Sequence, residues 1–358
     1  MELPILCQAG KAISRSNLTG YPHCEIRMCF QSLLPGKRRQ YRLRDRIVGL
    51  TRKHMGNTDQ PAVNIDPARP PEHVQIQTVT GCNASCIFCP NGKTEREIPR
   101  GRRMDWVLYR SIVDQCLELG IRRYSVYLMN EPLLDREIPE RIAYISSRIK
   151  KPQYTKITTH GGLLSERMAK GLLDSGLDKL RISVLSLNSE NYRKLMQLPL
   201  EKTLRNIDRF IELKKKGAYE TPRLEIVIVD SIHTRKEIPA IRRYWRERGI
   251  KLFVQTVENR ADQRNIRDAA LSADRLGAFT WCRRMIDQIY ILYNGQMVQC
   301  CSDWEQHSIV GDLRTESLAR IWFGDHYFGY RKRFAAGDVK GMICEYCLKQ
   351  VDNNPLCP

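Results

Sequence analysis

The stretch QTVTGCNASCIFCPNG, residues 77–92, decides how this chain is read. It continues directly from HVQIQTV (73–79), a β-branched run with the character of a strand. Cys82, Cys86 and Cys89 therefore fall on a loop at a strand's carboxyl end, where parallel α/β folds bind their ligands. A gap of three residues followed by a gap of two lets one short loop wrap three thiolates round three corners of a cubane iron–sulfur cluster. Structural zinc takes four protein ligands, and no neighbouring Cys or His completes such a set. The incomplete set is chemically useful, because it leaves the fourth iron open.

Outward from this loop the pattern of a short strand and then a helix repeats. RYSVYLM (123–129), KITT (156–159), KLRISV (179–184), LEIVIV (224–229) and KLFVQTV (251–257) join the first run to give six predicted strands. The helical stretches between them stop at Gly120, Gly176, Gly217 and Gly249, as expected where a left-handed cap favours glycine. Repeated βα units predict a parallel sheet with right-handed crossovers. Residues 1–70 read as a basic extension ending in the proline-rich linker NTDQPAVNIDPARPPEH. Within it, GKRRQYRLRDRIVGLTRK (36–53) has the pattern of a helix, either packed on the main domain or offering a docking surface. The βα repeat is expected to occupy 71–262, a charged helical connector 263–280, and a second, cysteine-bearing domain 281–358.

That last region places Cys282, twelve residues, Gly295, four residues and Cys300 in series, then Cys344 and Cys347. QIYILYNGQMVQ (288–299) reads as a hairpin turning at Asn294 and Gly295, which would draw Cys282 and Cys300 together. Two distant cysteines and a CxxC pair suffice for one four-thiolate site, which suits zinc or an iron–sulfur cluster equally. Cys116 belongs to the apolar face of a helix. Cys7, Cys24, Cys29 and Cys357 fit neither set.

The three-cysteine loop resembles the signature of the radical S-adenosylmethionine (SAM) superfamily, with Phe88 filling the aromatic position before the last cysteine. The resemblance implies a partial (β/α)6 barrel of the TIM type. It also implies a [4Fe-4S] cluster on Cys82, Cys86 and Cys89 whose open iron binds SAM, and reductive cleavage of SAM to a 5′-deoxyadenosyl radical. LMNEPLL (128–134) stands where the family carries a glycine-rich motif for the SAM amino group, so Asn130 and Glu131 become candidate SAM contacts, though the glycines are absent. Ser183, on the fourth predicted strand, matches a position often placed near the SAM ribose or carboxylate. Thr159, His160 and Gly161 face the same mouth, with His160 read as a hydrogen-bonded loop residue. The C-terminal series and GDLRTESLARIW (311–322) resemble the auxiliary-cluster domains called SPASM and twitch. That likeness implies one auxiliary [4Fe-4S] cluster on Cys282, Cys300, Cys344 and Cys347. Cys301, beside a ligand, is the candidate catalytic thiol, able to return a hydrogen atom to a substrate radical; the other reading is a packed thiol. Asp303 is equally ambiguous.

Bulk properties limit the setting. A chain of 358 residues can bury a full core, and no apolar window is long enough to span a bilayer. With no apolar signal core at the N-terminus, a cytoplasmic protein with no membrane partner is expected, its thirteen cysteines reduced for metal binding. The net charge of +19 calls for an acidic partner. The absence of a recognisable module with stacking aromatics argues against nucleic acid and an RNA-modifying enzyme, and an acidic flavodoxin or ferredoxin donating electrons fits better. Resemblance to small twitch-bearing dehydrogenases and sugar epimerases points to a polar small-molecule substrate, such as a sugar or aminocyclitol. A peptide or protein maturase is the alternative.

Overall fold

The computed structural model describes residues 5–6, 12–13, 65–94, 99–258, 260–261 and 282–348. The chain divides into two units, Met1–Gln60 and Pro61–Pro358. In the first, Ile5–Leu6 pairs antiparallel with Ala12–Ile13. The basic helix expected at 36–53 and the connector expected at 263–280 lie outside the described residues.

In the second unit the six expected strands form: β1 (His73–Ile76), β2 (Arg123–Ser125), β3 (Tyr154–Thr159), β4 (Lys179–Ser183), β5 (Arg223–Asp230) and β6 (Lys251–Thr256). They pair in parallel in chain order. Between them run α1 (Trp106–Glu118), α2 (Ile138–Ser146), α3 (Glu166–Asp174), α4 (Ser189–Met196), α5 (Leu200–Lys216) and α6 (Ile238–Glu247). This is the α/β, partial-barrel class read from the sequence. The N-terminus of α1 is capped by Asp105, whose carboxylate accepts from the N–H groups of Val107 and Leu108. Ser165 and Asn188 cap α3 and α4 in the same way. Gly120, Gly176 and Gly249 take the left-handed conformation expected of them, with φ of 70°, 72° and 69°. Gly217 does not. Its φ is −86°, Ala218 carries the left-handed turn instead, and a Cβ at Gly217 would stand 2.2 Å from the Tyr219 ring. Close packing is what requires glycine there.

One face of the sheet carries Val74, Ile76, Tyr124, Ile157, Leu180, Ile182, Ile226 and Ile228, all buried with the helices in a single core. The same core takes in the C-terminal region. Behind a short helix, α7 (Arg283–Asp287), the expected hairpin forms from β7 (Gln288–Ile291) and β8 (Gln296–Val298) with Gly295 at φ 86°. β9 (Ile309–Asp312) joins the far side of β8. β7 runs parallel to β1, pairing Val74 with Ile289, so one nine-stranded sheet has the order β9-β8-β7-β1-β2-β3-β4-β5-β6. Helices α8 (Leu318–Phe323), α9 (Asp325–Ala335) and α10 (Ile343–Leu348) complete this end. The hairpin therefore extends the barrel sheet and brings the second cysteine group up to the strand that precedes the first. Among the described residues no helix is long and apolar enough to cross a membrane.

Candidate active site

The loop from Gly81 to Cys89 leaves β1 under several restraints. Gly81 has φ 85°, and its would-be Cβ lies 2.7 Å from the Arg100 side chain, so both conformation and space select glycine. Its carbonyl accepts from the Glu131 N–H at 2.9 Å, joining the loop to the segment after β2. Lys93 donates to the Cys86 carbonyl at 2.7 Å, and Ile87 N–H to the Leu195 carbonyl at the end of α4 at 3.0 Å. Gln77 braces the base, donating to the Met129 carbonyl and accepting from Tyr293 N–H in the hairpin.

The three thiols of this loop lie within electrostatic reach of one another. Burial pushes Cys82 and Cys86 up to about 12, and Cys89 contributes to both shifts. Burial raises Cys89 as well. Backbone N–H groups already aim at sulfur: Ala84 donates to Cys82 Sγ at 3.3 Å, and Asn91 bonds Cys89. Such bonds stabilise bound thiolate and tune cluster potential. Among the described residues no three His, Cys, Asp or Glu side chains converge on one metal position. A cubane binds each thiolate at a different iron, so its ligands surround a volume and need not meet at a point.

Glu131, expected to contact SAM, is buried and fully engaged by the protein. Oε1 accepts from Thr159 Oγ1 at 2.6 Å and Leu133 N–H at 3.0 Å. Oε2 accepts from His160 N–H at 3.0 Å and lies 3.3 Å from His160 Nε2. His160 Nδ1 accepts from Gly162 N–H, so a neutral ring carries its proton on Nε2, which also faces Asn83 Oδ1 at 2.9 Å. One carboxylate thus ties the loops after β1, β2 and β3 together. His160 is the hydrogen-bonded loop residue read from the sequence. Asn130 accepts from Leu128 N–H through Oδ1, while its Nδ2 is buried with no partner, a donor free for a bound ligand. Phe88 is buried in the main core. Ser183 sits half-buried at the end of β4.

In the C-terminal region Cys282, Cys300 and Cys344 come together. Cys300 is shifted in part by Cys282, and Tyr327 in part by both Cys300 and Cys344. Cys282 and Cys344 also share a small apolar cluster with Met285 and Phe334. Cys347 is one helical turn beyond Cys344 on α10. Cys300 and Cys301 are hydrogen-bonded, and that bond, then Arg284 and Arg260, hold the Cys301 thiol down against burial and Glu258. Both arginines clamp Glu258, at 2.9 Å from Arg260 and 2.5 Å from Arg284. Arg260 feels both Cys301 and Cys89, so it stands between the two cysteine groups.

A cavity of about 640 Å³ opens beside the first cysteine loop, its lining including Gly81, Cys82, Ser85, Met129, Trp304 and Gln306. Phe88, Asn130, Glu131, Ser183 and Cys301 are not in its wall, although Cys301 packs with Met129 and Trp304, which are. The buried Trp304 Nε1 also lacks a partner. Nothing in the sequence pattern marks Trp304, Gln306 or the Arg260–Glu258–Arg284 clamp. Of the Glu131 network, Thr159 and His160 were legible in the sequence as residues facing the mouth, while Asn83 was not.

Residues 76–222 match the radical SAM superfamily, and residues 282–348 match SPASM, an iron–sulfur cluster-binding domain. The chain therefore carries a radical SAM domain and, C-terminal to it, a SPASM domain. Domains of these two types imply a SAM-binding [4Fe-4S] cluster, an auxiliary cluster and SAM as cofactors. The donor sets fit these groups: an open three-thiol loop beside an unpartnered amide, and a separate four-cysteine set.

Among curated proteins, a probable GTP 3′,8-cyclase of Methanosarcina mazei is 30% identical over 207 residues, 56% of this chain and 58% of that one. The chain thus spans little more than half the length of that relative. The solved structure of Streptococcus suis SuiB bound to the precursor peptide SuiA covers 74% of this chain and 67% of its own, with TM-score 0.60 at 16% identity. That of anSMEcpe with bound AdoMet covers 78% of this chain and 85% of its own, with TM-score 0.55 at 15% identity. At these identities the structures share the fold alone.

Proposed function

We propose that this enzyme cleaves SAM reductively and abstracts a hydrogen atom from a polar small molecule, of the sugar or aminocyclitol kind, to epimerise or oxidise a hydroxyl-bearing carbon. In this reading Cys82, Cys86 and Cys89 hold the SAM-binding cluster, and Cys282, Cys300, Cys344 and Cys347 hold the auxiliary one. The observation that carries it is the cavity of about 640 Å³ beside the first cysteine loop, a volume suited to a small molecule and not to a folded partner. With its cluster reduced by one electron, bound SAM supplies the 5′-deoxyadenosyl radical.

The chain's own residues then have distinct tasks. Glu131, through Thr159 and His160, holds three loops in register at the mouth, while Asn130 Nδ2 is available to SAM. Ser183 is assigned to the ribose or carboxylate, and Phe88 supports the loop from the core. Metal at Cys300 would remove that thiol's proton, which leaves Cys301 as the donor in their shared hydrogen bond and as a neutral thiol able to deliver a hydrogen atom. The electron comes from an acidic flavodoxin or ferredoxin attracted by the net charge of +19.

Anaerobic reconstitution of the wild type and of Cys82→Ala/Cys86→Ala/Cys89→Ala tests the central step. The triple variant should lose one cubane's worth of iron and all SAM cleavage; unchanged iron or cleavage sinks the assignment. Solvent deuterium at the product carbon, lost in Cys301→Ala, supports epimerisation, whereas a two-electron oxidised product supports dehydrogenation. Two other readings have specific support. The curated relatives are named cyclases, and SuiB was solved with a peptide; ring closure of the substrate, or a peptide substrate, would be recognised in the same product analysis.

A further inference from the structure

The barrel sheet has a second face, turned away from the helices, and its composition is unusual. The interior of a TIM-type barrel is normally filled by layers of branched apolar side chains. Here the strand residues of that face run Tyr154, Lys156, Thr158 on β3, Lys179, Arg181, Ser183 on β4, and Arg223, Glu225, Val227 on β5. On these three strands four cations share the face with one carboxylate, Glu225, and the register adds Arg123 on β2 and Lys251 on β6. That carboxylate is bonded to Arg181 Nε at 2.8 Å and to Arg223 at 3.0 Å.

Lys156 and Lys179 are less closely matched: Lys156 hydrogen-bonds the Tyr127 hydroxyl, and Lys179 acts on Glu225 only at longer range. They are direct cross-strand neighbours in the β3–β4 register, with Cα atoms about 4.8 Å apart, and like charges so placed are destabilising. Neither forms an ion pair with a described carboxylate. Each ammonium instead lies over an aromatic ring, Lys156 5.5 Å from Tyr127 and Lys179 4.2 Å from Tyr154. Both side chains are half-buried, so bulk solvent screens them only in part. The hydroxyls beside them, Ser125 on β2 and Thr158 on β3, are already engaged by His73 and Tyr127, so the lysines and Arg181 are the donors of this area.

The positive field also acts on the neighbours. Burial pushes the Tyr127 phenol up, yet Lys156, with Thr158 and Arg181, outweighs it and the net shift is down. His73 is pushed down to about 3 by burial and then by Lys156 and Arg123.

We propose that Lys156 and Lys179, with Arg181, form the subsite for an anionic group, phosphate or carboxylate, on the small-molecule substrate. From Lys179 to Ser183 is four residues along β4, about 13 Å of strand. A substrate anchored there reaches the mouth with its far end, so the subsite selects molecules about as long as a sugar phosphate or a nucleotide and points their uncharged end at the cysteine loop. This rests on the small-molecule reading above.

The test is thermal unfolding of the reconstituted protein with inorganic pyrophosphate or malonate, for wild type, Lys156→Met/Lys179→Met and the exposed α5 control Lys215→Gln. Pyrophosphate should raise the unfolding temperature of wild type and control, with at least tenfold weaker apparent affinity in the double methionine variant. Without anion, that variant should be as stable as wild type or more so, because the like-charge pair is gone. Stronger binding of pyrophosphate identifies a phosphorylated substrate, and stronger binding of malonate a carboxylated one. No anion effect on wild type, or the same effect on all three proteins, overturns the subsite. Wild type that cleaves SAM but binds neither anion refutes only the subsite; wild type that binds anion but cannot cleave SAM refutes only the radical reading.

Discussion

Replacing Glu131 with glutamine keeps the side chain's shape and changes what it can accept. The carboxylate takes Thr159 Oγ1 and Leu133 N–H on one oxygen, and His160 N–H with His160 Nε2 on the other. If the glutamine NH2 faces His160, it meets two donors, and moving the ring proton to Nδ1 would break the bond from Gly162. If it faces the other way, Thr159 can turn to accept, but Leu133 N–H is left without an acceptor. Either orientation strands at least one buried donor, at about 1–3 kcal/mol. The surviving bonds lose their charge-assisted strength, roughly another 1 kcal/mol. A loss of about 2–4 kcal/mol in unfolding free energy is expected, measured by urea denaturation followed by far-ultraviolet circular dichroism. The loops after β1, β2 and β3 should loosen together, visible as faster amide exchange at Gly81, Leu133 and His160. A Glu131→Gln protein within about 0.5 kcal/mol of wild type, with unchanged exchange, would refute the claim that this carboxylate holds the mouth.

Two further outcomes follow from the same structure. His73 bridges β7 and β2, with Nδ1 donating to Gln288 Oε1 at 3.0 Å and Nε2 accepting from Ser125 Oγ at 2.8 Å. Its folded pKa, pushed down to about 3, lies below the unfolded value near 6.5. Above about pH 6.5 both states are neutral and it contributes nothing; below that the unfolded state binds a proton that the folded state refuses, so stability falls with pH. Between pH 7.5 and 5.5 the loss attributable to His73 should be about 1 kcal/mol, and His73→Gln should remove that share of the slope; equal slopes in the two proteins would contradict it. The second concerns the electron donor. If the +19 charge steers an acidic flavodoxin, raising ionic strength from 0.05 to 0.5 M should slow cluster reduction several-fold, and stopped-flow rates insensitive to salt would rule out electrostatic docking.

Local patterns carried much of this protein in its sequence. Alternating β-branched runs marked all six parallel strands, because side-chain period and flanking glycines act within a few residues. The Asn294-Gly295 turn marked the β7–β8 hairpin for the same reason, since a two-residue turn needs positive φ. Three cysteines at short spacing on one loop announced their chemistry without tertiary help. Gly217 shows where such reasoning slips: the helix end was located correctly, but the demand for glycine comes from the Tyr219 ring packed over it.

Only the tertiary structure decided what depends on groups far apart in the chain. The parallel pairing of β7 with β1 joins residues more than two hundred positions apart and makes the C-terminal hairpin part of the barrel sheet. Glu131 was expected from the sequence as a SAM contact; that its carboxylate also braces Thr159 and His160 appears only when the loops are folded together. Lys156 and Lys179 are unremarkable charges in two separate strands. Register sets them side by side with no carboxylate in direct contact, and partial burial makes that juxtaposition costly, which is the ground for the proposed anion subsite.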